Sequence, residues 1–217
     1  PLYSSAASDV YKRQLLDWLP SLEDKTGGYT PFSSLANSVE QQASIDCPDY
    51  IIRNGTFFRP LNIKTKTISI IQDIYTEVQK KQQIEVANSS DVVIFNSPYT
   101  RSFYEDDVNV SSSVIPLGID FDLFKPSNRR LKEILPNSIL FVGAATSHPK
   151  GFDLLLKIID STEHNFCLVM KDNFHIDHPR IKVVNRVNHR ELIKIYNSCS
   201  MLLCTSTQET QHLAGLE

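Results

Sequence analysis

Three side chains in the second half of the chain are of types and spacings that could handle a phosphorylated sugar: Lys150, Glu209 and Glu217. A carboxylate accepts hydrogen bonds from two hydroxyls at once, which suits the vicinal diols of ribose or a hexose. Glu209 and Glu217 close the segment Ser206-Thr207-Gln208-Glu209-Thr210-Gln211-His212-Leu213-Ala214-Gly215-Leu216-Glu217, behind the apolar run Met201-Leu202-Leu203-Cys204. A strand, a polar turn with one carboxylate and a helix with another is how an α/β domain builds a nucleotide site. Eight positions are about 80° around an ideal helix, so both carboxylates serve one ligand only if Glu209 precedes the helix and Glu217 lies within it. The plain alternative is two solvated glutamates. Lys150, in Pro149-Lys150-Gly151-Phe152-Asp153, stands where a helix begins, so its point charge and the helix N-terminus could neutralise a phosphate together. Its plain alternative is a surface lysine.

Positioning these groups is the work of the flanking elements. Short β-branched runs at Asp49–Ile52, Thr67–Ile71, Asp91–Phe95 and Ser113–Ile115 predict strands, and a helix is expected from about Tyr75 to Asn88 and another from Ser97-Pro98 to Tyr104. Leu15–Trp18 reads as the tail of a strand and Pro31 to about Gln42 as a helix, with Gly27-Gly28 between them. A Gly-Gly turn lets a diphosphate or sugar approach the backbone, or is simply a flexible turn. The second half restarts the rhythm: strands at Ser138–Val142, Cys167–Met170, Ile181–Val184 and Met201–Cys204, the last read as buried, with helices at Phe152–Ile159 and Arg190–Asn197. Strands alternating with helices imply parallel βαβ units with right-handed crossovers. Pro116, Gly118, Pro126 and Pro136 punctuate the join, predicting a linker over 117–136 between lobes of 15–116 and 137–217. The expected fold class is α/β with two Rossmann-like lobes and a cleft between them.

Composition bounds the function. Hydrophobic residues make up 41% and charged residues 22%, ordinary globular usage, and a net charge of −3 gives no basis for nucleic-acid binding. The four cysteines (Cys47, Cys167, Cys199, Cys204) show no CxxC spacing. The last three lie in or beside apolar runs and read as buried thiols of a reducing, cytoplasmic compartment. No apolar run approaches the roughly 20 residues of a membrane span. Peripheral membrane contact stays open. No His, Cys or carboxylate set has metal-ligand spacing in sequence and there is no Asp-x-Asp, so no metal is expected.

Val114-Ile115-Pro116-Leu117-Gly118-Ile119-Asp120-Phe121-Asp122-Leu123-Phe124-Lys125-Pro126, Pro149-Lys150-Gly151-Phe152-Asp153 and the Ser206–Glu217 segment together resemble the retaining, nucleotide-sugar-dependent glycosyltransferases of the GT-B fold, glycosyltransferase family 4. The resemblance implies transfer of a hexose from a nucleoside diphosphate sugar to a hydroxyl of a glycan, lipid-linked or small-molecule acceptor. Retention and metal independence come with it, and no cofactor beyond the donor substrate. It implies Glu209 on the transferred sugar and Lys150 on the diphosphate as the catalytic pair, and Glu217 on the ribose. Gly27, Gly28, Gly143, Ser206 and Thr210 would also face the donor, and Asp73 and Ser97 the acceptor. Asp73 and Ser97 read equally well as helix caps. The chain departs from the family at Ala144-Ala145, where an arginine is usual, at Gln72 in place of a histidine, and at the bulky Thr210-Gln211-His212. These departures motivate a second reading, a GT-B protein that binds a nucleotide sugar or glycan without turnover; a sugar-nucleotide epimerase is a weaker third. Ser4 to Gln14 resembles a translated sequencing adapter, so residues 1–14 are expected to be a non-native leader, and the second lobe is expected to be incomplete at Glu217.

Overall fold

The computed structural model describes residues 40–217, apart from positions 42, 45, 47, 55–59, 76, 129, 146 and 147. The strand at 15–18, Gly27-Gly28 and most of the helix read from Pro31 lie outside the described residues. The chain divides into two units, one to Gly118 and one from Ile119.

The first unit carries a parallel four-stranded sheet in the order β1 (Tyr50–Asn54), β2 (Lys66–Ile71), β3 (Val92–Phe95), β4 (Ser111–Val114). Helices α1 (Glu77–Asn88) and α2 (Pro98–Tyr104) make two of the crossovers. Ile71, Ala87, Val93, Phe95 and Tyr104 are buried together as its core. Arg53 on β1 is also buried, and donates to Ser69 Oγ on β2 and to Val86 O, Ser89 Oγ and Ser90 Oγ at the end of α1. Burial lowers its guanidinium to about 10, which leaves it charged at neutral pH. Hydrogen bonds to neutral acceptors on two elements replace its lost hydration.

The second unit carries a parallel sheet in the order β7 (Ile181–Asn185), β6 (Phe166–Met170), β5 (Ile139–Gly143), β8 (Met201–Leu202). Side chains alternate across the sheet, and this sorts them into two cores. Phe141, Phe166, Leu168 and Met170 pack on one face with Leu155 and Ile159 of α3 (Phe152–Ser161). Leu140, Cys167 and Val169 pack on the other with Leu192 and Ile195 of α4 (His189–Tyr196). Helices on both faces explain why every residue of β6 is buried and why it reads as an unbroken apolar run. Each such side chain contributes about 1.5–3 kcal/mol through burial. A capping box fixes where α4 begins: Asn188 accepts from Glu191 N and the Glu191 carboxylate accepts from Asn188 N.

Strand order has a consequence for function. The chain leaves β5 through α3 toward β6, whereas it returns through α4 to β8 on the other side of β5. The crossovers diverge between β5 and β8, which is the kind of switch point where α/β sheets bind ligands beyond the carboxyl ends of their strands.

Residues 117–136, read from sequence as a linker, contain segments packed on the second unit. Phe124 lies edge-on to His189 and Tyr196, Ile134 joins the α4 face of the core, and Asn197 Oδ1 accepts from Ser127 N. The run Met201–Cys204, read as a buried strand, is corrected. The ladder holds only Met201 and Leu202, at the edge of the described sheet, with a last bond from Leu203 N to Leu140 O, and Met201 is 61% exposed. With β8 ending at Leu202, Cys204 leaves the sheet and is exposed, while Cys167 is buried and Cys199 half-buried, all three as free thiols. No helix among the described residues is long and apolar enough to cross a membrane.

Candidate functional site

The loops that follow β5 and β8 meet, and they hold residues that the sequence singled out. Gly143 ends β5, and after a single 3-10 turn (His148–Lys150) the chain enters α3 at Gly151. Gly151 adopts φ +64, the left-handed region, and a Cβ there would stand 1.9 Å from the carbonyl oxygen of Thr205. Only glycine combines that backbone angle with that approach. Two hydrogen bonds lace the turn to the loop after β8: Thr205 Oγ1 donates to Lys150 O at 2.9 Å and Thr207 N to Pro149 O at 2.8 Å. Lys150 Nζ therefore meets Glu209 Oε1 at 2.6 Å, across 59 positions of sequence. Ser206 Oγ donates to the same oxygen at 2.7 Å. The Lys150 and Glu209 side chains are 28% and 22% exposed, a half-buried pair. A pair this accessible contributes only about 1 kcal/mol or less. The loops are held by Gly151 and Thr205, so the two charges are carried by the site rather than holding it together.

Glu217 belongs to different surroundings. Helix α5 (Leu213–Leu216) is a single turn, with Glu209 in the loop before it and Glu217 directly after it. The Tyr196 hydroxyl lies 2.9 Å from Ala214 O and 3.2 Å from Glu217 Oε2. Glu217 Oε1 is buried without a partner among the described residues. Burial raises the Glu217 carboxyl above its ordinary range, opposed by the Tyr196 hydrogen bond; burial and Glu217 also raise Tyr196. Glu217 lines a cavity of about 580 Å³ with Phe124, Lys125, Arg130, Tyr196 and Asn197. A carboxyl raised on folding costs stability above its unfolded pKa, because ionising it is harder in the folded chain than in the unfolded one. Glu217→Gln is therefore expected to melt higher than the parent at pH 7. The difference should vanish below about pH 4, where both states are protonated. Coincident thermal melts at pH 7 would contradict it.

In the first unit, Asp73 follows β2 and Ser97 follows β3, neighbouring strands, so both stand at the carboxyl edge of that sheet. Asp73 Oδ2 accepts from the Tyr75 hydroxyl at 3.2 Å, and its carbonyl accepts from the Tyr104 hydroxyl at 3.0 Å. Ser97 is the N-cap of α2, its Oγ accepting from Thr100 N at 3.0 Å, so the capping role read from sequence is present.

No family model matches the sequence, and no curated protein does. Solved structures match in fold. Sucrose-phosphate synthase from Thermosynechococcus elongatus aligns with a TM-score of 0.69 at 14% identity, over 97% of this chain and 72% of that one. Alpha,alpha-trehalose 6-phosphate synthase from Burkholderia multivorans aligns with a TM-score of 0.57 at 10% identity, over 83% of this chain and 56% of that one. At such identities the likeness is one of fold: α/β, with the two Rossmann-like units of the GT-B class.

Several site residues lay beyond sequence reasoning. Thr205, 4% exposed, gives no local signal for its grip on the Lys150 turn. Tyr196 reads as one more apolar position of α4. Cys204 and His212 belong to no recognised ligand spacing, yet with Glu209 they place three ligand atoms within 4.8 Å of one another. Thr210 follows Glu209 in the same loop, half-buried. Ala144, where the resembled family has an arginine, is 5% exposed, so no cation stands at that position.

Proposed function

We propose that the protein is a glycosyltransferase that moves a hexose from a nucleoside diphosphate sugar to an acceptor hydroxyl with retention of configuration. The Lys150–Glu209 pair at the divergence point of the second sheet carries this reading. A diphosphate and a sugar present opposite demands, negative oxygens beside neutral hydroxyls, and a cation beside a carboxylate meets both. Lys150 and the free N–H groups opening α3 would stabilise charge as it develops on the leaving diphosphate. Glu209, oriented by Ser206, would accept from hydroxyls of the transferred hexose. Charge neutralisation of this kind uses only protein groups, so the proposed reaction is metal-independent. Glu217 is assigned to the nucleotide ribose, with Gly143 and Thr210 near the diphosphate. Asp73 and Ser97 are assigned to the acceptor side of the first unit. The two structures of similar fold are named for making sucrose phosphate and trehalose 6-phosphate, which supports glycosidic-bond formation, with sugar phosphates among the acceptors to try.

The test is to incubate the chain with UDP- and GDP-hexoses and a panel of sugar, sugar-phosphate and lipid-linked acceptors. Release of nucleoside diphosphate, with a glycosylated product retaining the donor anomer by NMR, is expected. Nucleotide-sugar binding by calorimetry without any product would favour the non-catalytic reading motivated by Ala144-Ala145. Absence of any nucleotide binding would overturn both.

A further inference from the structure

Beside the Lys150–Glu209 pair, the loop after β8 gathers three side chains of different chemistry. Cys204 leaves the sheet edge with its thiol exposed, and Glu209 and His212 follow in the same loop, half-buried. One ligand atom from each lies within 4.8 Å of the other two. Thiolate, imidazole and carboxylate are the ligand types that hold zinc-like ions. Bonds of about 2.0–2.3 Å in tetrahedral geometry put ligands roughly 3.5 Å apart. From the 4.8 Å bound to that spacing the three would have to close by about 1.3 Å at most, within reach of side-chain rotation on a loop. Two further contacts make the cluster more than a chance meeting of surface groups. The His212 ring is seated on the backbone of Gly215, where an added Cβ would stand 2.3 Å from Nδ1. Ser206 and Lys150 both engage Oε1 of Glu209, and neither takes Oε2, which leaves that oxygen for another partner.

We propose that Cys204, Glu209 and His212 form a three-ligand site for a thiophilic divalent cation of the zinc class, with a fourth position open to water. The ion on Oε2 and the Lys150 ammonium on Oε1 are two positive charges on one carboxylate, so each weakens the hold of the other. Occupancy loosens the Glu209–Lys150 pair and takes the carboxylate oxygen that a sugar hydroxyl would need. That inhibitory consequence rests on the function proposed above; the binding itself does not.

The experiment is titration of the full chain with Zn²⁺ against a chromophoric chelator, repeated with Co²⁺ for its thiolate charge-transfer absorption. One ion per chain and a thiolate band are expected. Cys204→Ser should abolish the band. Cys204→Ser and His212→Ala should each weaken binding by at least about tenfold, the loss that removing even a supporting group brings to a metal site. Lys150→Met should tighten it, since the competing cation is gone. Affinities for both ligand variants equal to that of the parent would overturn the site. Unchanged or weaker affinity in Lys150→Met would overturn the competition. The readout is ion binding, so a failed transfer assay and a failed metal site remain distinguishable.

Discussion

Lys150→Ala and Glu209→Ala are each expected to lower hexose transfer by about 100-fold or more, while leaving the fold in place. The magnitude is that of removing one preorganised electrostatic group from a reacting centre, about 10²–10³ in kcat. The sparing of stability follows from the contacts. The pair is partly exposed and worth about 1 kcal/mol at most, while the turn bearing Lys150 and the loop bearing Glu209 are joined through Thr205, Thr207 and Gly151. A melting temperature within about 4 °C of the parent is therefore expected. The two losses should also be far from additive, because each partner orients the other at 2.6 Å. Parent-like transfer by both variants, measured as released nucleoside diphosphate, would remove the assignment of this pair as the reacting centre.

Gly151→Ala is expected to do the reverse and damage the fold first. The left-handed angle alone costs a residue with a Cβ about 1–2 kcal/mol. The added carbon would also lie 1.9 Å from a backbone carbonyl oxygen, which no rotamer change can relieve. The turn must lift off the loop after β8 and forfeit the hydrogen bonds from Thr205 Oγ1 and Thr207 N, each worth about 1 kcal/mol. A total of about 3 kcal/mol or more corresponds to roughly 12–24 °C in the melting of the second unit, which runs from Ile119 to Glu217. Gly118→Ala is the control: nothing lies within 4 Å of a Cβ built there, so its melt should match the parent. Equal melts for the two alanine variants would show that the Gly151–Thr205 approach does not hold the site.

Much of the fold was legible along the chain because its causes are local. β-Branched runs and helical spacing act over ten residues or fewer, and they locate β2, β5, β6, β7, α3 and α4 to within a few positions. Boundaries slipped where pairing ends a strand rather than composition. Leu203 N still donates to Leu140 O of β5, but Cys204 continues the apolar run beyond the last bond to that strand, and so the expected burial of Cys204 failed.

The chemistry of the candidate site was likewise legible as residue types: a lysine at a helix entry, a carboxylate after a strand, a second carboxylate eight positions on. Only the tertiary structure decided which of them meet. Lys150 reaches Glu209 because β5 and β8 are sheet neighbours, and neighbourhood is set by how two layers of helix cover the sheet, a property of the whole unit and of no single segment. The same long-range packing turned Glu217 onto Tyr196 and brought Thr205 against Gly151. It also placed Cys204 and His212 beside Glu209, in a spacing that no local pattern announces. Sequence by itself determined the groups and the elements that carry them; the folding of distant loops onto one sheet edge determined the site, because contact across tens of residues is an outcome of packing and not of propensity.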